Sequence, residues 1–138
     1  MNTITKSHLK DLTYHFNGAC IEVYKILGPG LLESVYHKCL KYELTLRGIS
    51  FESEVQLPVL YKGFGIDTEL RCDLLLEKAL VVEIKAVEKL QPIHEAQLLT
   101  YMKLLHIPKG LLVNFNVVNL YNKGIRSFVN EQFRTLPA

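Results

Sequence analysis

The chain predicts an α/β fold in which a central mixed sheet is flanked by helices. Three observations point there. Up to Arg47 the sequence carries two apolar stripes at helical spacing, parted by Gly28-Pro29-Gly30. From Phe51 the period shortens and β-formers dominate. Leu80–Ala86, a helical stretch and Leu111–Phe115 then follow in the order of a right-handed crossover between parallel strands. A length of 138 residues favours one domain over residues 1–138, and a hydrophobic content of 49% supplies its core.

The first helix is expected over Ser7–Leu27, because Leu9, Leu12, Phe16, Ala19, Cys20, Val23 and Leu27 recur at three- and four-residue steps. Gly28-Pro29-Gly30 stops it. The second runs from Leu31 to about Arg47 on the stripe Leu32, Val35, Tyr36, Cys39, Leu40 and Leu44, with Gly48 as its C-terminal cap. Phe51–Tyr61 alternates loosely and reads as one strand, with Pro58 marking an edge or bulge. Lys62-Gly63-Phe64-Gly65 reads as a turn. Glu69–Leu76 and Leu80–Ala86 read as an antiparallel hairpin across Glu77-Lys78-Ala79. Pro92 precedes a helix over Ile93–His106, which Pro108-Lys109-Gly110 ends. Leu111–Phe115 and Gly124–Val129 are the last strands, and the tail from Asn130 is loose or a frayed helical turn. The order is α-α-β-β-β-α-β-β, without internal repeat or interdomain linker.

The formal charge is 16 − 14 = +2, which announces no strongly basic nucleic-acid surface, although a local groove can sit within so small a sum. Cys20, Cys39 and Cys72 are odd in number and form no Cys-x-x-Cys, so they read as small core residues rather than disulfide or zinc partners. The N-terminal stretch Met1 to Lys6 lacks an apolar signal region, and no apolar run approaches the ~20 residues that span a bilayer. No membrane association and a reducing cytoplasm are expected.

The most informative segment is Leu80-Val81-Val82-Glu83-Ile84-Lys85. An acid and a base two residues apart share one face of an apolar strand, and burying them is costly unless something binds them. Asp73, on the neighbouring strand, can complete a carboxylate cluster. Asp73, Glu83 and the backbone carbonyl of Ile84 form a ligand set for a hard cation such as Mg²⁺. A cation there would acidify a water and neutralise charge on a phosphate, with Lys85 orienting the water or stabilising developing charge. The alternative is a structural Glu83–Lys85 or Asp73–Lys85 ion pair, or a solvated sheet edge.

Other candidates surround this segment. Glu33 falls in the first turn of the second helix, where the helix dipole alone would favour it by about 0.3–1 kcal/mol. His94, Gln97 and Tyr101 lie at i, i+3 and i+7 on one face of the helix that follows the acidic strand. Gln97 could hold a phosphate or a water of the ion's shell, and Tyr101 a nucleic-acid backbone; either could equally be a core edge. His94 reads first as a surface or capping residue, and His94-Glu95 is no zinc-protease motif because position 98 is Leu98. Arg71 could steer a phosphate, or pair with Asp73 or Glu33.

Gly30-Leu31-Leu32-Glu33-Ser34-Val35-Tyr36 resembles the signature of the GxxExxY family. Asp73, then Glu83-Ile84-Lys85-Ala86-Val87-Glu88, then Ala96-Gln97-Leu98-Leu99-x-Tyr101, then Gly110-Leu111-Leu112-Val113-Asn114-Phe115, resemble its remaining blocks. The resemblance runs from Ile21 to Arg126. It implies a PD-(D/E)XK nuclease-like, restriction-endonuclease-like core in which Asp73 and Glu83 bind Mg²⁺, Mn²⁺ being a possible substitute, and Lys85 assists catalysis. It further implies that Glu33 is a helix-borne acid that can join the metal site, and that Gln97 is the glutamine of the following helix. Cys72 stands where the motif's proline usually precedes the aspartate. The expected activity is Mg²⁺-dependent phosphodiester hydrolysis on nucleic acid, DNA first, and a homodimer would place two sites on two strands. The alternatives are a catalytically silent interaction or nucleic-acid-binding module on the same fold, and a metal-dependent hydrolase of a small phosphorylated molecule. With every acidic and basic motif position intact, activity is the expectation.

Overall fold

A five-stranded sheet in the order β1-β4-β5-β6-β7 forms the centre, built from Phe51–Gln56 (β1), Arg71–Leu76 (β4), Leu80–Lys85 (β5), Lys109–Asn114 (β6) and Ile125–Val129 (β7). The computed structural model describes residues 4–138, so Met1 to Thr3 of the expected leaderless N-terminus lie outside it. β5 and β6 run parallel and are joined through α3 (Pro92–Leu105); the other neighbours are antiparallel. The sheet is therefore mixed, as predicted.

The helices cover both faces because the buried strands are apolar on both sides. α1 (Lys6–Leu27) and α2 (Glu33–Leu46) set Leu9, Leu12, Phe16, Tyr36, Leu40 and Leu44 against Leu74, Leu76, Val82, Ile84, Leu111 and Val113. On the other face α3 sets Leu98, Tyr101 and Met102 against Leu75, Val81 and Leu112. Gly110 lets α3 approach, since a Cβ there would stand 2.7 Å from Met102 Sδ and 2.9 Å from Leu98 Cδ1.

Each helix ends where its local chemistry ends it. Thr5 caps α1, its hydroxyl accepting from the His8 N–H at 3.0 Å. The predicted Gly48 cap closes α2: the Gly48 N–H donates to Thr45 O and the Ile49 N–H to Leu44 O, with Gly48 at φ +71°. The tail forms a single helical turn, α4 (Glu131–Arg134), and is tied down, with the N–H groups of Lys6 and Ser7 donating to Pro137 O and Ala138 O.

The middle differs from expectation. The predicted strand Phe51–Tyr61 is broken at Leu57-Pro58, because proline cannot donate to a ladder. Val59–Tyr61 (β2) pairs instead with Phe64–Ile66 (β3) in a separate hairpin. The predicted four-residue turn shrinks to Lys62-Gly63, both at positive φ, which matches a two-residue turn to strand twist. β4 starts at Arg71 rather than Glu69. Ahead of β7 the chain makes one π-helical turn, Leu120–Gly124, which the sequence pattern did not signal.

Candidate nuclease-type carboxylate site

Antiparallel β4 and β5 pair regularly from Leu76↔Leu80 to Leu74↔Val82, and regular pairing then stops at Asp73. Side chains take over from the ladder. The Asp73 N–H donates to Glu83 Oε2 at 2.7 Å, and the Ile84 N–H donates to Asp73 Oδ2 at 2.7 Å. Two acids on opposed strands thus satisfy the backbone of each other's strand where it opens. The opening also breaks the alternation of β4: Cys72 packs with the α3-side core, whereas Leu74 packs under α1 and α2.

Glu83 is 4% exposed, and it and Asn114 are the buried polar side chains of the described residues. Burial pushes the Glu83 carboxyl up to about 8, and the neighbouring Asp73 charge adds to this. Asp73 is also raised by burial, against the pull of the Ile84 N–H bond. Asp73 Oδ1 and Glu83 Oε1 carry no hydrogen bond among the described residues, and neither is sealed from solvent. Two half-satisfied, partly desolvated carboxylates with open oxygens fit a hard divalent cation, which would relieve their mutual repulsion.

Lys85 is half-buried beside the acids and lowers the pKa of both. Among the described residues it makes no ion pair within 4.0 Å, and neither does Asp73 or Glu83. The structural ion pair that the sequence left open is therefore absent there. Its backbone is held firmly. The Phe115 N–H donates to Lys85 O at 2.9 Å, while Asn114 Oδ1 accepts from the Val87 N–H at 3.1 Å and Asn114 Nδ2 donates to Val87 O at 2.9 Å.

Glu33 opens α2 and faces this group. Partial desolvation at its end facing the site raises its pKa; Lys85 lowers it and Asp73 raises it again. The side chain itself stays exposed, and no three His, Cys, Asp or Glu side chains converge as a metal-holding group among the described residues. One turn on, His37 also bears on Asp73 and Glu33, and its Nε2 lies 3.4 Å from Ser53 Oγ. The Gly30…Glu33…Tyr36 signature acquires a physical reason. Tyr36 donates to Gly28 O at 2.6 Å and accepts from the Leu31 N–H at 3.1 Å, and its ring stacks on Phe115 at 4.6 Å. It clamps the loop that launches Glu33 and rests on the residue that clamps Lys85.

On α3, His94 Nδ1 accepts from the Gln91 N–H at 2.9 Å, the capping role expected first, on the side of α3 near Glu33. Gln97 is half-buried and makes no side-chain hydrogen bond among the described residues. Tyr101 is core, 5% exposed, with its hydroxyl raised by burial and by the charges of Glu83 and Asp73. Arg71 pairs with neither Asp73 nor Glu33; its partner is the exposed Glu69, at 3.8 Å. An apolar cavity of about 470 Å³ between α1 and α2, lined by Val23, Ile26, Cys39, Tyr42 and Leu46, contains none of the site residues.

Sequence reasoning missed His37 and assigned no role to Asn114. Its i+4 spacing from Glu33 could have signalled His37. A lone asparagine at the end of an apolar strand gave Asn114 only a weak signal.

A mixed sheet covered on both faces presents an Asp and a Glu-x-Lys at a strand opening. A family model of the PD-(D/E)XK nuclease superfamily matches residues 10–128, and the chain belongs to that superfamily. Comparison with curated proteins gives no match, and comparison with solved structures gives none.

Proposed function

We propose that this protein is a Mg²⁺-dependent nuclease of the GxxExxY type that hydrolyses phosphodiester bonds in nucleic acid, with DNA as the first substrate to test. One observation carries the reading: Asp73 and Glu83 are desolvated at a strand opening, each with an oxygen left open, next to a lysine that pairs with neither. A purely structural acid pair would be stabilised by neutralising Lys85 within contact distance, and this one is not.

Asp73 and Glu83 would hold Mg²⁺, or Mn²⁺ in its place, with the Ile84 carbonyl and Glu33 as further oxygen donors. When bound, the ion supplies charge neutralisation at the phosphate and acidifies water. The chain's own residues do the rest. Lys85, fixed through its carbonyl by Phe115, aligns the attacking water and stabilises charge on the phosphoryl oxygens. Water's oxygen bonds to phosphorus, the bond to the leaving oxygen breaks, and that oxygen takes up a proton. Gln97, with its amide uncommitted, contacts the phosphate or the ion's water shell. Arg71, only loosely held by Glu69, draws the nucleic-acid backbone toward Asp73. His94 would be a secondary substrate contact, and of the core residue Tyr101 only the hydroxyl would reach substrate. Two copies would address two strands of a duplex, which sedimentation with and without DNA measures. The described residues include no helix long and apolar enough to cross a membrane, and the cytoplasm is the compartment we assign.

The test is calorimetric titration of Mg²⁺ and Mn²⁺ into metal-free protein, wild type beside Asp73→Ala, followed by cleavage assays on single-stranded, duplex and branched DNA and on RNA. Binding and cleavage lost together in a folded variant are expected. A wild type that cuts no nucleic acid would move the protein to the silent-module class, and cleavage that persists in folded Asp73→Ala would overturn the role given to Asp73.

A further inference from the structure

The β2–β3 hairpin stands apart from the central sheet and belongs to no core. Its register pairs Tyr61 with Phe64 and Val59 with Ile66, so these four side chains share one face. Tyr61 is 64% exposed and Phe64 72%; Tyr14, Tyr42 and Tyr121 are as exposed, but here two aromatic rings are cross-strand partners on one face. A two-stranded hairpin with no third strand has little stability of its own. It is tied to the body at its root, where the Leu57 N–H donates to Leu70 O at 2.9 Å, the Leu70 N–H to Thr68 Oγ1 at 2.7 Å, and Gln56 Nε2 to Thr68 O at 3.3 Å.

Position and charge select the partner. The root continues directly into β1 and β4, where Gln56 pairs with Arg71, two residues from Asp73. At about 3.4 Å per residue, Leu70 lies roughly 10 Å along the strand from the acid. From Pro58 to Ile66 the arm contains no acidic residue and one base, Lys62, whose Nζ sits 5.6 Å from the Tyr61 ring centroid. Two exposed aromatic faces beside a cation, on an arm without negative charge, match a nucleobase attached to a phosphate chain. A second copy of the chain would meet the same apolar face but would leave Lys62 without a role.

We propose that Val59–Ile66 is a base-stacking arm that selects unpaired or frayed nucleic acid and delivers its backbone past Arg71 to the carboxylate site. The inference rests on the nuclease reading and names its substrate class: strands with accessible base faces, in preference to blunt duplex. Tyr61 and Phe64 stack on bases, and Lys62 contacts phosphate.

The experiment measures binding of fluorescein-labelled single-stranded, forked and blunt duplex DNA by anisotropy without divalent cation, for wild type, Tyr61→Ala/Phe64→Ala and Lys62→Ala. A parallel set carries 2-aminopurine as the stacking probe. The aromatic pair variant should lose roughly ten- to a hundredfold in affinity for single-stranded and forked DNA. It should also lose the 2-aminopurine quenching, while its melting temperature and Mg²⁺ affinity stay those of wild type. Lys62→Ala should lower the salt dependence of binding by about one phosphate contact. Equal affinities for wild type and the aromatic variant would overturn the arm and leave the nuclease reading standing. A wild type that hydrolyses a small phosphodiester but binds none of the three DNAs would overturn the arm and the nucleic-acid substrate together. A wild-type dimer that the aromatic variant converts to monomer, with DNA binding unchanged, would assign the face to self-association.

Discussion

Asp73 and Glu83 each accept a hydrogen bond from the other's strand, Glu83 from the Asp73 N–H and Asp73 from the Ile84 N–H, both at 2.7 Å. The pair keeps β4 and β5 joined where regular pairing ends, and it does so with two groups that repel. Each carboxylate spends one oxygen on the backbone and leaves the other open.

Isosteric neutralisation separates these two duties. Asp73→Asn and Glu83→Gln keep a carbonyl oxygen for the backbone donor while removing the charge. Calorimetry should show Mg²⁺ binding lost, hydrolysis should fall at least about a hundredfold, and the metal-free protein should melt no lower than wild type. Asp73→Ala instead orphans the Ile84 N–H, costing about 1–3 kcal/mol. A stability order with Asn below Ala would contradict this division.

The metal-free protein should lose stability as pH rises. Glu83 is raised from 4.5 to about 8 by burial and then by Asp73, with Lys85 and the Asp73 N–H bond opposing, and Asp73 shifts in the same direction. Between those pH values the folded state holds a proton that the unfolded state has released. That stabilisation is complete below about pH 4.5 and disappears as pH passes through about 8. Melting curves from pH 5 to 9 in chelator should slope downward for wild type and less steeply for Glu83→Gln, and Mg²⁺ should flatten the wild-type slope. Identical slopes for the two proteins would refute the assignment.

Lys85→Ala should spare the fold and harm the chemistry. With no ion pair to lose among the described residues, its melting free energy should change by less than about 1 kcal/mol. Hydrolysis should fall roughly a hundredfold or more, with Mg²⁺ still bound. A large loss of stability would show that Lys85 is structural after all.

Asn114→Leu tests the clamp beneath Lys85. The substitution keeps the branched shape but strips both partners from the backbone of Val87, which should cost about 1–3 kcal/mol. If the clamp also sets where Lys85 stands, activity under conditions where the variant is fully folded should drop through kcat rather than KM. Full activity would confine Asn114 to stability.

Tyr36→Phe isolates the hydroxyl of the Gly30…Glu33…Tyr36 signature. The stack on Phe115 remains, while Gly28 O and the Leu31 N–H lose a shared partner. We expect a loss of about 1–2 kcal/mol, with hydrogen exchange rising at the start of α2 and not at its end. Uniform protection along α2 would argue against a clamp.

Much of this was legible in the chain. Helical stripes placed α1 and α2, prolines bounded α3, the Gly48 cap closed α2, and two apolar runs with a tight polar link paired β4 and β5. The acids at 73 and 83 and the base at 85 stood out because charge in an apolar strand demands a reason. Short-range chemistry writes such features directly into neighbouring residues. Arg71 paired with Glu69, Tyr101 went into the core and Pro58 divided a strand, because those outcomes depend on which partners arrive from elsewhere.

Residue order alone settled the helical periods, the Gly48 cap and the tight link between β4 and β5, since each follows from spacing over a few residues. Tertiary contact decided that β4 opens at Asp73, that Asn114 and Phe115 hold Lys85 from the parallel strand, and that His37 and Glu33 face Asp73 from another layer. It also decided that Tyr61 and Phe64 stand out on an arm. Those relations span ten to forty residues of chain, and no local periodicity encodes a distance that only packing creates.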